Sequence, residues 1–242
     1  MPNPDYEYAE VFYVLDFDRT LANTDKFHDI LEEVIEQETA ISARLLREAR
    51  IKAESIGESF DTIDYLRRFL EGENGKQSWL DIQRVFVARA QKEDLLEPHA
   101  LELFRILDDR KIPYGIITFG GEAWQLAKIE AAGLMDVPHV VTHIKEKGLI
   151  LTGWKKNGSD TFIIPPGLTR VFRPLRVTTI VFLDDKAISF ADMPDGVRGI
   201  YVRSTNRLLI SQQGALPPNV TSAQGLGGAI QLLFSEKSDA DS

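Results

Sequence analysis

Asp16 and Asp18 are the residues best placed to do chemistry in this chain. They follow the run Val11-Phe12-Tyr13-Val14-Leu15 and stand two positions apart. The run is short, continuous and rich in β-branched and aromatic residues, which predicts a buried strand. Residues two apart on a strand share a face, so both carboxylates point the same way. Neighbouring acids in a buried setting repel one another and lose hydration, and a bound divalent cation is the usual compensation. A second apolar run, Thr178 to Leu183, leads into another acid pair, Asp184-Asp185. That pair needs a counter-charge for the same reason.

The elements that carry these acids can be read from periodicity. After the first strand the pattern turns helical from Thr24 to about Leu96. Ile30, Leu31, Val34 and Ile35 share a face, and Ile41, Leu45, Leu46 and Ala49 continue a similar one. Ile63, Leu66, Phe69 and Leu70 mark another helix, ended at a Gly72-Glu73-Asn74-Gly75 turn. Trp79, Ile82, Val85 and Phe86 mark a further one. Pro98 opens a helix containing Leu101, Phe104, Ile106 and Leu107. A second strand, Lys111 to Thr118, follows, with Phe119-Gly120-Gly121 as its turn. Glu122 to Ala132 is a helix stopped by Gly133. Val137 to Thr142, Thr178 to Leu183 and Gly199 to Val202 are the remaining strands. Gly148 to Val177 reads as a loop-rich insertion or a small hairpin.

Strands alternating with helices predict an α/β fold, a doubly wound Rossmann-like parallel sheet, with ligands beyond the carboxyl ends of the strands. Asp16, Thr118 and Asp184 fall at such ends. The expected division is a core of residues 1–22 and 97–235, an all-helical insert of 23–96, and a disordered tail of 236–242.

Composition narrows the function. The chain has 242 residues, 43% hydrophobic and 27% charged, as in an ordinary globular protein. A formal net charge of -9 disfavours nucleic-acid or anionic-membrane partners. The absence of cysteine excludes disulfides, thiolate catalysis and cysteine-ligated zinc. Met1 to Glu10 lack the basic start and apolar core of a signal peptide, so the expectation is a cytoplasmic protein.

The hexapeptide Asp16-Phe17-Asp18-Arg19-Thr20-Leu21 resembles the first motif of the haloacid dehalogenase superfamily, most of whose members are magnesium-dependent phosphatases. Three further matches follow in the order of that family: Thr118 at a strand end, a lysine best matched by Lys147, and Phe182-Leu183-Asp184-Asp185. The resemblance spans residues 10 to 205. It implies Mg²⁺ as cofactor and a small phosphorylated molecule as substrate, and a helical cap in the place of the 23–96 insert.

It also implies roles. Asp16 would be the nucleophile that forms an aspartyl-phosphate. Asp18 would be the general acid and then the general base, with its main-chain carbonyl on the metal. Thr118 and the amides near Gly120 and Gly121 would bind phosphoryl oxygens. Lys147 would neutralise Asp16 and the transferred group, with Lys145, Lys155 and Lys156 as alternatives. Asp184 and Asp185 would complete the metal site, Asp185 matching best, and Thr20 would orient the loop. Dehalogenases of the superfamily lack an acid at the position of Asp18, so its presence favours phosphoryl chemistry. The same residues would serve a phosphomutase, or a low-turnover module that binds phosphate esters.

Other signals are weaker. His139 and His143 share a strand face, a pattern typical of packing or surface residues. Gly225-Leu226-Gly227-Gly228 lacks the preceding strand that a dinucleotide loop requires. Arg44, Arg47, Arg50 and Lys52 read as a solvated helical face. The sharper alternative is a grip on an anionic substrate.

Overall fold

The computed structural model describes residues 6–55, 60–72, 78–156, 158–171, 173–203 and 216–235. The chain divides into two compact units. The first comprises Met1–Leu21, Glu97–Ile116 and Ile144–Ser242; the second comprises Ala22–Leu96 and Ile117–His143.

The first unit is built on β2 (Val11–Leu15), β3 (Tyr114–Phe119), β7 (Thr179–Asp184), β8 (Val197–Arg203) and β9 (Val220–Gln224). They lie in the order β3-β2-β7-β8-β9, with every pair parallel. This is the Rossmann-like parallel sheet that the alternating pattern predicts. Phe12, Val14, Leu15, Ile180, Phe182 and Leu183 are all fully buried. A central parallel strand is covered on both faces, so it reads as a continuous apolar run. The chain places β3 on one side of β2 and β7 on the other, which makes the end of β2 a switch point where ligands bind.

Register brings the acids together. Leu15 pairs with Leu183, and the Asp16 N–H donates to the Leu183 carbonyl at 2.9 Å. Asp16 and Asp184 therefore leave adjacent strands side by side.

The remainder of this unit corrects several sequence expectations. The 148–177 stretch opens with a helix, α7 (Lys147–Trp154), which the glycine-containing segment did not signal. Beyond it, β5 (Phe162–Ile164) and β6 (Leu175–Val177) form the expected antiparallel pair, with β1 (Glu7–Tyr8) added parallel to β6. Gly225-Leu226-Gly227-Gly228 does follow a strand, β9, and begins helix α8 (Gly225–Phe234). The strand Val220-Thr221-Ser222-Ala223-Gln224 was hidden by its polar composition, since it pairs on one side alone and is half exposed. The helix α5 (Ala100–Asp109) contains the expected apolar residues and buries Leu103, Phe104 and Leu107, while Leu101 is 67% exposed.

The second unit contains α1 (Thr24–Glu38), α2 (Ala43–Ser55), α3 (Thr62–Gly72) and α4 (Trp79–Ala90), four helices with no strand between them among the described residues. It also contains the end of β3, α6 (Glu122–Ala131) and β4 (His139–Thr142). Asn23 caps α1 by accepting from the Lys26 N–H at 3.3 Å. Phe27, Ile30, Leu31, Val34 and Ile35 form its buried face, as their spacing predicts. Phe27 meets Phe86 of α4, and Phe86 meets Trp124 of α6, at ring-centre distances of 6.3 and 5.1 Å. Leu45, Phe69 and Val85 lie off the buried stripes and are exposed. Gly133 ends α6 as expected: its φ is +71°, its N–H donates to Glu130 O at 3.0 Å, and Leu134 N–H reaches Ile129 O at 3.0 Å.

The arginines of α2 are not a uniformly solvated face. Arg47 and Arg50 both donate to Glu32, a carboxylate buried in α1, while Arg44 pairs with exposed Glu48. Their charge answers a buried acid of this unit. The Glu73-Asn74-Gly75 part of the expected turn and the 236–242 tail lie outside the described residues. No described helix is long and apolar enough to cross a membrane.

Candidate active site

The first motif forms a tight turn at the end of β2. Leu21 N–H donates to Phe17 O at 3.0 Å, and the Thr20 hydroxyl donates to Asp16 Oδ2 at 2.9 Å. Arg19 sits at φ +63°, where a side chain costs about 1 kcal/mol. A glycine would be relaxed there. Asp16, Asp18 and Thr20 are all buried.

Lys147 supplies the counter-charge. It stands at the start of α7, is 2% exposed, and its Nζ donates to Asp16 Oδ1 and, at 2.7 Å, to Asp184 Oδ2. The alternatives are differently engaged. Lys155 donates to the Asp195 carbonyl at 2.8 Å, and Lys156 is exposed. Lys145, half-buried, is two residues from Lys147 on the approach to α7. Burial opposes the Lys147 charge, but Asp16 and Asp184 outweigh it and hold the ammonium above its usual range.

The placement of α7 depends on Gly148. A Cβ at that position would overlap the Ala191 carbonyl. The helix is further tied there by the Thr152 hydroxyl, which donates to Asp192 O at 2.8 Å. Gly148→Ala must therefore push α7 and Lys147 outward. The expected result is a loss of about 1–3 kcal/mol in stability, measured by urea unfolding, with a fall in any activity that needs Lys147.

Asp184 and Asp185 differ. Asp184 is fully buried and both its oxygens are used, Oδ2 by Lys147 and Oδ1 by the Lys186 N–H at 2.8 Å. Asp185 Oδ1 is buried and has no hydrogen-bond partner. One oxygen from each of Asp16, Asp184 and Asp185 lies within 4.8 Å of the others. Burial, with Asp184 adding to it, pushes the Asp16 carboxyl up to about 6 against the pull of Lys147. Burial likewise pushes Asp185 up to about 7, with Lys186 opposing and Asp16 reinforcing. An unpartnered buried carboxylate oxygen among other acids fits a hard divalent cation bound through oxygen.

Thr118 and Gly120 belong to the second unit, and their donors are turned to neighbours there. The Thr118 hydroxyl donates to Gln125 Oε1 at 2.9 Å, and the Gly120 N–H donates to Thr142 O at 3.1 Å. The Gln125 amide also donates to the Phe119 carbonyl at 2.9 Å. Gly120, at φ +147°, leaves the space that this amide fills, since a Cβ there would lie 2.6 Å from Gln125 Nε2. Gly121 leaves room in the same way for the Asp61 carboxylate.

No family model matches the chain. No curated protein matches it either. Solved structures do. A protein described as a haloacid dehalogenase-like hydrolase from Burkholderia xenovorans LB400 superposes with a TM-score of 0.61 over 92% of this chain and 96% of its own, at 18% identity. The fold is that of the haloacid dehalogenase-like hydrolases. A second protein of that description, YfnB from Bacillus subtilis bound to magnesium, superposes with a TM-score of 0.52 over 93% of this chain and 99% of its own, at 12% identity.

Sequence reasoning missed two residues that the geometry brings forward. Gln125 carried a signal, because it lies one helical turn past the Gly120-Gly121 pair and can reach back to the loop. Asp61 is distant in sequence from Gly121, and only tertiary packing joins them.

Proposed function

We propose that the protein is a Mg²⁺-dependent phosphatase that hydrolyses a small phosphorylated metabolite through an aspartyl-phosphate on Asp16. The observation that supports this most is the arrangement of Asp16: both oxygens are held, by Thr20 and by Lys147, beside the unpartnered oxygen of Asp185. A nucleophilic carboxylate needs alignment and nearby positive charge more than intrinsic strength.

In this scheme Asp16 attacks phosphorus as the bond to the leaving oxygen breaks, and Asp18 gives that oxygen its proton. Asp18 then takes a proton from water. The water oxygen attacks the phosphorus, the bond to Asp16 breaks, and inorganic phosphate leaves. Lys147 offsets charge on Asp16 throughout. The Asp16 and Asp185 side chains, with the Asp18 main-chain carbonyl, would hold Mg²⁺, which when bound offsets charge on the phosphoryl oxygens. The helical insert of residues 23–96 would serve as a cap. The test is release of inorganic phosphate from a panel of sugar phosphates, nucleotides and phospho-amino acids, with and without Mg²⁺. No release from any member overturns the reading.

Metal binding should also be visible in stability. Asp16 and Asp185 are raised to about 6 and about 7 from an ordinary 3.8. The folded protein thus holds more protons than the unfolded chain between these values. Metal-free stability accordingly falls as pH rises from about 4 to about 7. Mg²⁺ binds the ionised acids, so it should raise the melting temperature by several degrees at pH 8 and by much less at pH 5. Asp185→Asn should remove the Mg²⁺ effect at pH 8. An equal shift at both pH values, or one that survives Asp185→Asn, contradicts the metal assignment.

A further inference from the structure

Lys186 is a cation of the acid cluster that the hydrolysis scheme does not use. It follows Asp185 directly and belongs to the same unit as Asp16, Asp184 and Lys147. Its backbone is fixed from both sides. The N–H donates to Asp184 Oδ1 at 2.8 Å, and the carbonyl accepts from the Ser189 N–H at 3.1 Å. The turn that follows, Ala187–Phe190, is anchored by Phe190, a fully buried side chain whose ring lies 5.1 Å from that of Phe182. Gly199 leaves the space for this ring, since a Cβ there would lie 2.9 Å from Phe190 Cδ1. Lys186 is thus presented at the carboxyl end of β7 by a backbone with little freedom.

The two lysines of the cluster differ in what they bond. Lys147 is enclosed and donates to Asp16 and Asp184. Lys186 is half-buried, and among the described residues its ammonium makes no hydrogen bond or ion pair. It is close to the acids all the same. Its charge is the foremost one holding the Asp185 carboxyl down, and it acts on Asp16 as well. Yet Asp185 Oδ1 stays without a partner. An unbonded carboxylate oxygen and an unbonded ammonium therefore stand near one another without pairing. A divalent cation suits the first, and an anionic oxygen suits the second.

We propose that Lys186 is a substrate-binding residue, whose ammonium donates to an oxygen of the phosphoryl group while Lys147 stays on Asp16 and Asp184. Lysine fits the task as a compact charge with three donors on a flexible stem. This rests on the phosphatase reading and adds to it a phosphoryl-binding group from the unit that carries Asp16.

The test compares wild type with Lys186→Met, which keeps the stem and removes the charge. The hydrogen bonds at residue 186 belong to its backbone, so melting temperatures should stay close. Calorimetry gives the dissociation constants for Mg²⁺ alone and for inorganic phosphate with Mg²⁺ present. The variant should bind phosphate about tenfold to a hundredfold more weakly, as expected for loss of a charge-assisted hydrogen bond. It should bind Mg²⁺ about threefold more tightly, because a like charge has gone. Damage to the site would weaken both. A charge acting from a distance would give the same two signs, so contact is read separately by reductive methylation of wild type, with the modified lysines identified by mass spectrometry. With Mg²⁺ present and phosphate at about ten times its dissociation constant, methylation of Lys186 should slow about tenfold, while exposed Lys156 reacts as before. Unchanged phosphate binding by the variant, or methylation of Lys186 at the same rate with and without phosphate, overturns the proposal. Wild-type protein in which phosphate shields Lys186 but no ester is hydrolysed overturns the phosphatase reading and leaves Lys186 as a phosphate-binding residue. No phosphate binding by wild type overturns the proposal, and the ester panel then decides the phosphatase reading by itself.

Discussion

Asp16→Asn is expected to lower phosphomonoester turnover by at least about a thousandfold, because it removes the atom on which the covalent intermediate forms. The exchange is close to isosteric, so the loss comes from chemistry and not from collapse of the turn. An asparagine oxygen at 16 can still accept from Thr20 or from Lys147, the two donors that hold the aspartate. The variant also has one less buried negative charge beside Asp184, and the free acid is already pushed up to about 6 by burial. Its metal-free stability at pH 8 should therefore equal or exceed that of wild type, with a flatter dependence on pH between about 4 and 6. Phosphate release and thermal melting on the same preparation separate the two effects. A folded variant that turns over like wild type removes Asp16 from the nucleophile's role. Inactivity through unfolding would show as an early melting transition.

Lys147→Met should have the largest effect on stability. The ammonium is buried and donates to two buried acids, Asp16 and Asp184. Removing one partner of a buried ion pair leaves uncompensated charge and costs about 3–5 kcal/mol. For a chain of this size that corresponds to a fall in melting temperature of about 10 °C. Methionine keeps most of the volume and the apolar stem, so the loss reports on charge more than on a cavity. The effect should depend on pH. Without Lys147 only the more weakly acting Lys186 opposes the burial of Asp16 and its repulsion from Asp184, so Asp16 binds a proton at still higher pH. The variant should be nearest to wild type at about pH 5, where Asp16 can protonate, and furthest from it at about pH 8. Mg²⁺ should recover part of the difference at pH 8 by taking the place of the missing positive charge. A loss that is the same at both pH values would mean that packing, not charge, is the contribution of Lys147.

Much of the core was legible because its physics is local. A strand covered on both faces must be apolar throughout, so Val11–Leu15 and Thr179–Leu183 stand out in the sequence. Acids at the ends of such strands stand out equally, since nothing in an apolar run calls for them. Gly133 was readable as a helix stop because one residue in the left-handed region suffices to end a helix. By contrast, β9 and α8 were missed. A half-exposed edge strand has no apolar run to show, and Gly225 starts a helix in the kind of sequence that usually marks a loop.

What the sequence determined by itself is the order and type of the acids: Asp16 and Asp18 on one strand end, Asp184 and Asp185 on another, within an alternation of strands and helices that leads to a parallel sheet. Tertiary structure alone decided the partners. Four lysines were open as the counter-charge, and burial of Lys147 against Asp16 and Asp184 separates it from the others, because a charge is held inside a protein only where opposite charges from distant segments meet it. The two glycines at 120 and 121 looked like an ordinary turn. They are glycines because the amide of Gln125 and the carboxylate of Asp61 occupy the space where side chains would begin, and excluded volume of that kind exists only once the chain has folded.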